Sequence, residues 1–350
     1  MTGIENRLAA LKTVTSRDPF FEYLVRQAQG DVAVCGYKFE PQQVIQLDAG
    51  VYGEIRSEYL SDIYQSVAAE LDAESMRRLE TLAGLVPKGG VVPFMGAGLS
   101  VASGLPTWGD FLSRVATGCL PQVDVLERVR VGKYEELAED IRRERGQEWF
   151  EESLELFQTR DTASETTYLV LQTFGEGLVT TNFDPLIEKA LEELEGRADV
   201  QEGCGSWSGW RRETNGGRRR VLLKLHGHFS RPNFRVLLRE EYDAAYASDG
   251  PVARDLRALF STSVVAFIGC SLLADRTLDV ACGLRKELGD SMPRHYAFLP
   301  VADERVSREK YLAERSIFPI WYPNEDGGHA MLSHILWWLN SEVREKGVDI

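Results

Sequence analysis

The chain has no apolar run approaching the ~20 residues needed to cross a bilayer. Its opening stretch, MTGIENRLAALKTVTSRD, lacks the apolar centre of a secretory leader, so a cytoplasmic setting and no membrane contact are expected. Cysteine is scarce. The five residues Cys35, Cys119, Cys204, Cys270 and Cys282 are odd in number, scattered, and never spaced C-x-x-C. That argues against a disulfide framework and a cysteine zinc site, and fits a reducing compartment. Histidine is equally rare, with five residues, so few imidazoles compete for a role as general base. A basic surplus is missing too. There are 54 acidic and 40 basic side chains, a formal net charge of −14, which disfavours broad contact with a nucleic-acid backbone. No internal repeat or low-complexity tract is found.

What is present is ordinary globular material. Hydrophobic residues make up 43% and charged residues 27% of 350 residues, enough for one large core or two modest domains. Residues 1–88 carry two helical patterns, near 4–29 and 54–85, and no residues with a nameable chemistry. This helical N-terminal region is free for oligomer or partner contacts. From Pro87-Lys88-Gly89-Gly90 onward, short apolar runs alternate with helical stretches. The strands expected are VVPFM (91–95), the apolar part of GLVTTNFD (177–184), VLLKLHGH (221–228), SVVAFIGCS (263–271), RHYAFLP (294–300) and SIFPIWYP (316–323). Uniformly apolar strands alternating with helices imply a Rossmann-like, doubly wound parallel sheet covered on both faces, here over residues 89–345. In such sheets ligands sit at the carboxyl ends of the strands.

Four polar constellations fall at those ends. In GAGLSVASGLPTW (96–108), Gly96 and Gly98 would let backbone N–H groups approach a pyrophosphate, with Ser100 adding a hydroxyl; the plain alternative is a turn that needs glycine. It is not the dehydrogenase fingerprint, whose third glycine would fall at Val101, and no Gly-Lys-Ser/Thr makes it a Walker loop. In Thr180-Thr181-Asn182-Phe183-Asp184, the amide and carboxylate suit ribose hydroxyls or cap the helix that follows. In Lys224-Leu225-His226-Gly227-His228, an imidazole at a strand end is placed for general-base work. An alternating strand would also point His226 and His228 to one face, a conceivable metal pair that lacks a third ligand. In Gly269-Cys270-Ser271 through Asp275, the glycine and serine suit phosphate or ribose, Cys270 reads as a small buried residue, and Asp275 as a cap or a ligand contact. His295, His329 and His334 read as surface or packing residues.

The order GAGLSVASGLP, TTNFD, LHG, GCSLLADRT resembles the sirtuin family, the silent-information-regulator type of NAD-consuming fold, over roughly residues 88–300. The stretch VLLREEYDAAY (236–246) is similar to one in its bacterial branch, the NAD-hydrolysing effectors of antiviral defence. Two departures favour that branch. Thr107-Trp108-Gly109 stands where deacylating sirtuins carry Asp-Phe-Arg, and their two C-x-x-C zinc pairs are missing. Without that zinc module and its peptide cleft, water is the expected acceptor. The resemblance implies that NAD+ is the substrate and no metal is required. Gly96, Ala97, Gly98 and Ser100 would contact the pyrophosphate and adjacent ribose. Asn182 would orient water or ribose, Asp184 would assist in the nicotinamide pocket, and His226 would be the base. Gly269, Ser271 and Asp275 would hold the adenosine side.

The expected activity is hydrolysis of NAD+ to nicotinamide and ADP-ribose, gated because uncontrolled NAD+ loss kills the host. Transfer or cyclisation in the same pocket is the alternative reaction, and nucleotide sensing without catalysis the alternative role. A homo-oligomer is expected, and the resemblance suggests a HerA-type ATPase or helicase as partner. Trp207, Trp210, Arg211, Arg212 and Arg218–Arg220 could stack and pair with single-stranded nucleic acid, although a solvated loop is the favoured reading. The acidic stretch 135–156 reads as a solvated helix face.

Overall fold

The apolar runs become the strands of one parallel sheet. The structure, a computed structural model, describes residues 19–27, 32–34, 37–39, 49–158, 162–202, 211–214, 217–232, 235–273, 275–325 and 327–345. It opens with α1 (Pro19–Gln27), the paired short strands β1 (Val32–Val34) and β2 (Tyr37–Phe39), α2 (Ala49–Glu70) and α3 (Ala73–Leu85). The single helix expected over 54–85 is therefore two. Asp72 separates them: its backbone is extended and its carboxylate accepts the amides of Glu74 at 3.0 Å and Ser75 at 2.8 Å, which starts a new helix. Of the helix expected over 4–29, residues 4–18 and 28–29 lie outside the described residues.

The second part begins with β3 (Val91–Met95) and a four-residue helix, α4 (Gly98–Val101). Four helices follow, α5 (Trp108–Val115), α6 (Gln122–Arg130), α7 (Tyr134–Arg145) and α8 (Gln147–Ser153). Then come α9 (Glu165–Thr173), β4 (Leu178–Thr180), α10 (Leu186–Glu195), β5 (Asp199–Glu202), β6 (Arg211–Thr214) and β7 (Gly217–Lys224). The last part runs α11 (Arg239–Ala245), α12 (Pro251–Thr262), β8 (Val264–Ile268), α13 (Arg276–Leu288), β9 (His295–Pro300), α14 (Arg305–Ala313), β10 (Ile317–Tyr322) and α15 (Ala330–Glu345).

Seven strands lie parallel in the order β10-β9-β8-β3-β4-β7-β5, with β6 antiparallel on β7. Alternate residues of each central strand feed two separate cores. Val91 and Met95 of β3 and Ala266 and Ile268 of β8 join α2, α3, α9, α10 and α15 on one face. Val92, Phe94, Val265 and Phe267 face α12, α13 and α14 on the other. This is the doubly wound α/β arrangement expected. β4 lies on one side of β3 and β8 on the other, so the order switches direction at the end of β3, where a ligand crevice is expected. A third core, built on Phe111, Leu112, Leu137, Ile141, Phe150 and Phe157, belongs to the helices between β3 and β4. It also takes in Phe183 and Leu237, so this helical lobe stands over the strand ends.

Three details differ from expectation. β7 starts inside the basic run and ends at Lys224, so His226 and His228 lie beyond the strand in a turn. The alternation argument that paired them fails for that reason. β5, with the polar sequence DVQE, is an edge strand with no apolar run to announce it. The basic loop is in part the β6–β7 hairpin; Trp207, Trp210 and the tip residues Asn215 and Gly216 lie outside the described residues. Arg220 is not available to a phosphate: it pairs with Glu195 and donates to the carbonyls of Leu171 and Phe174, both at 2.6 Å.

His295 opens β9 in full burial, and its Nδ1 accepts the amide of Val265 at 3.2 Å. Burial pulls its pKa from 6.5 to about 3. The unfolded chain therefore takes up this proton first as pH falls, and native stability drops as pH goes from about 6.5 towards 3. One proton corresponds to a slope of about 1.4 kcal/mol per pH unit. Urea unfolding at several pH values between about 6 and 4 is expected to show a slope shallower by about that amount in His295→Leu. An unchanged slope would refute the assignment.

Candidate functional site

Three turns meet where β3, β4 and β8 end. The turn after β3 contains Gly96 and Gly98. Their amides donate to Ile268 O at 2.8 Å and Gly269 O at 2.9 Å, so both are engaged inside the protein. A Cβ at Gly96 would lie 2.4 Å from Gly269 O and 2.7 Å from the Cys270 Sγ. Gly269 itself has φ +71°, and a Cβ there would lie 2.9 Å from Leu99 N. These glycines serve the contact of one turn with the other. The Gly96 and Gly98 amides, expected to approach a pyrophosphate, here bond the end of β8 and the turn after it.

Ser100 on α4 is buried and connects the second turn. Its hydroxyl donates to Asp184 Oδ2 at 2.8 Å and accepts from Asn182 Nδ2 at 3.1 Å. Asn182 Nδ2 also donates to Gly96 O at 3.1 Å. A carbonyl can only accept, so this bond fixes which end of the Asn182 amide faces the turn. The other end, Oδ1, is buried with no partner. An unpaired buried acceptor can take a hydrogen bond from a ligand or a water.

Asp184 uses both oxygens internally, the second accepting Leu186 N at 3.1 Å to start α10. It bonds Ser100, which in turn bonds Asn182. Beneath it lies Lys224, fully buried, whose ammonium donates to Asp184 O at 2.6 Å and Glu188 Oε1 at 2.5 Å. Sequence reasoning assigned Lys224 no role, though a lysine inside the apolar run VLLKL was the available signal.

His226 lies in the turn after β7 and is buried. Burial pulls its pKa down to about 3, so the imidazole is neutral at physiological pH. Its Nε2 lies 2.7 Å from the Tyr246 hydroxyl and its Nδ1 3.5 Å from that of Tyr242. Both tyrosines come from the α11 segment, one helical turn apart. Phe183 connects His226 to the helical lobe, its ring centred 6.3 Å from the imidazole and 5.5 Å from Trp108. His228 bonds Ser230 locally, through Nδ1, at 2.8 Å. Among the described residues no group of three or more His, Cys, Asp or Glu side chains is placed to hold a metal ion.

The third turn carries Gly269, Ser271 and Asp275. Asp275 caps α13, its Oδ1 accepting Thr277 N at 2.8 Å. Ser271 is exposed, and its carbonyl accepts from Arg308. Cys270 is half-buried, its thiol held against Phe94 O at 3.5 Å, and the protein around the sulfur pushes its pKa up. Arg276 clasps this side of the crevice to two other helices, bonding Glu135 at 2.8 Å and Asp243 at 2.7 Å. The acidic stretch is thus partly paired: Asp140 also holds Arg128 at 2.5 Å, and Leu137, Ala138 and Ile141 are buried. Gly96, Gly98, Ser100, Asn182, Asp184 and Gly269 therefore form one bonded unit; His226 and Asp275 stand beside it on the α11 and α13 side.

This is an α/β domain with a buried, partly unsatisfied polar cluster at its switch point, and residues 176–320 match the family model described as SIR2-like domain. Three curated relatives are each named NAD(+) hydrolase ThsA. The chain is 23% identical over 219 residues to that of Cytobacillus dafuensis (62% of this chain, 42% of the relative). It is 26% identical over 213 residues to that of Bacillus cereus strain MSX-D12 (61% and 43%). It is 22% identical over 240 residues to that of Enterococcus faecium (67% and 47%). The chain thus spans less than half the length of the curated relatives it matches.

The turn-on-turn contact is testable without substrate. Gly96→Ala is expected to destabilise the protein by about 1–3 kcal/mol, because the Gly269 carbonyl is backbone and cannot swing away. Gly53→Ala, in α2 with open space around its Cβ, is the control and should be neutral or stabilising by up to about 1 kcal/mol. Equal effects of the two in thermal melts would show that the Gly96 contact is unimportant.

Proposed function

We propose that this chain hydrolyses NAD+ to nicotinamide and ADP-ribose. The observation that carries the reading is Asn182, a buried amide just after β4, locked at one end by Gly96 O with its other end unpaired. The SIR2-like match and the names of the relatives support the choice of NAD+.

The chemistry asks little covalent work of the protein. The nicotinamide–ribose bond has a cationic leaving group, so its cleavage releases neutral nicotinamide and leaves positive charge on the ribose. Catalysis then consists of positioning and stabilising that charge. Asn182 Oδ1 accepts a hydrogen bond from the attacking water or a ribose hydroxyl. Water adds to the ribose carbon and loses one proton, which the neutral imidazole of His226 accepts. Burial keeps the resting imidazole neutral, so it is free to accept a proton and brings no opposing charge to the ribose beforehand.

The same proposal places the protein as a gated effector that depletes NAD+ in antiphage defence. The gating, a homo-oligomeric state and a HerA-type ATPase partner rest on the sequence resemblance alone.

Purified protein incubated with NAD+ is expected to release nicotinamide and ADP-ribose in equal amounts. His226→Ala should slow release by about 10²–10⁴-fold. Asn182→Ala should slow it at least about tenfold, the effect of losing about 1.4 kcal/mol in the transition state. No nicotinamide in any oligomeric state, with or without a co-expressed ATPase, would sink the reading; a cyclic product in place of ADP-ribose would move it to the cyclase alternative.

A further inference from the structure

A general base must face the proton it takes as well as lie near it. Half a turn of an imidazole about its bond to Cβ puts carbons where the two nitrogens were. Ring packing does not choose between these two settings of His226. The rings of Phe183, Tyr242 and Tyr246 are centred 6.3, 5.1 and 5.9 Å from the imidazole, and they meet its nitrogens and carbons alike. Hydrogen bonding does choose. The Tyr246 hydroxyl lies 2.7 Å from Nε2, a normal bond whichever atom donates. The Tyr242 hydroxyl, 3.5 Å from Nδ1, is at the outer limit. In a reversed ring a carbon would face the Tyr246 oxygen, and the shorter bond would be lost.

We propose that Tyr246 is the positioning residue of His226, its hydroxyl fixing which edge of the imidazole faces the reaction. The proposal deepens the hydrolase reading and rests on it for the reaction. The hydroxyl is itself held in place. Val236 N donates to His226 O at 3.1 Å, which closes the loop between the β7 turn and the approach to α11. Glu241 Oε2 accepts the amides of Leu237 at 2.8 Å and Leu238 at 2.9 Å, and Asp243 pairs with Arg276 at 2.7 Å. So fastened, α11 returns Tyr246 to the imidazole 20 residues after His226. The Tyr246 amide donates to Tyr242 O at 2.9 Å, and the two rings, one helical turn apart, stack at 5.8 Å with 21° between their planes. The Tyr246 hydroxyl also lies 3.3 Å from Thr277 Oγ1, near the start of α13. A carboxylate holds the imidazole of a serine-protease triad. Among the described residues none hydrogen-bonds His226, and the Tyr246 phenol takes that part. Its surroundings keep the phenol protonated, so it orients the ring without adding charge.

Tyr246→Phe keeps the ring and removes the hydroxyl. In nicotinamide release, kcat is expected to fall about ten- to a hundredfold, as for a base held slightly out of place, with KM within about twofold. In a His226→Ala background the same change should cost less than about twofold more, because no imidazole is left to orient. A purely structural role for Tyr246 would lower kcat in both backgrounds. Wild-type kcat in Tyr246→Phe, or its full loss repeated without His226, would overturn the assignment. A second readout needs no activity. Ring NMR signals of His226, assigned by their loss in His226→Gln, are expected as one set in the wild type and as a shifted or doubled set in Tyr246→Phe. Identical spectra would equally overturn it. If the wild type releases no nicotinamide, the hydrolase reading fails, while the ring spectra still decide whether Tyr246 holds His226.

Discussion

The contact between the turns after β3 and β8 is the constraint on which the rest of the site depends. Gly96, Gly98 and Gly269 let two backbones approach within hydrogen-bonding distance, closer than any side chain would permit. That approach puts the Gly96 carbonyl where it can hold the Asn182 amide, and puts Ser100 between Asn182 and Asp184. The β4 turn is pinned to the same place by Thr180, whose hydroxyl donates to Met95 O at 2.7 Å and accepts Asn182 N at 3.0 Å. One unpaired oxygen, Asn182 Oδ1, is what this bonding leaves over. A polar group is aimed here by exhausting every other option for its neighbours.

Charge is handled with equal economy. Lys224 is a fully buried cation, tolerable because Glu188 and the Asp184 carbonyl accept its hydrogen bonds. It ties the end of β7 to the start of α10, and so carries the support of Asp184 down into the sheet. His226 is buried without a carboxylate beside it and stays neutral. Above the crevice Arg276 joins α7, α11 and α13 through Glu135 and Asp243, which holds the two tyrosines of the α11 segment against the imidazole. The helical lobe closes over this arrangement through Trp108, Phe157 and Phe183.

Much of the fold was legible because buried parallel strands leave a plain trace. VVPFM, VVAFI and IFPIWY are apolar at every position, since both faces of each strand are covered. β5 left no such trace, because Asp199, Val200 and Gln201 are only half-buried and DVQE needs no apolar run, whereas β10 at the other edge is buried. The break at Asp72 was hidden because helical spacing continues across it, while the cap is a matter of one carboxylate meeting two amides. In the site, residue types were readable and their duties were not. Gly96, Ser100, Asn182 and Gly269 do converge, but glycine in a turn reads alike whether it meets a phosphate or another turn.

The order of motifs, the missing cysteine pairs and the uniformly apolar strands were set by the sequence alone, because they depend on local periodicity and on which side chains exist at all. The tertiary structure decided which hydrogen-bonding groups remain available. One oxygen of Asp184 is taken up by Ser100, 84 residues away, and the Gly96 and Gly98 amides by Ile268 and Gly269 at the end of β8. Tyr246 and Thr277 acquire meaning only through bonds to His226 and to each other across 20 and 31 residues. Hydrogen bonds saturate, so a site is defined by what its neighbours leave unpaired, and neighbours distant in the chain exist only once it has folded.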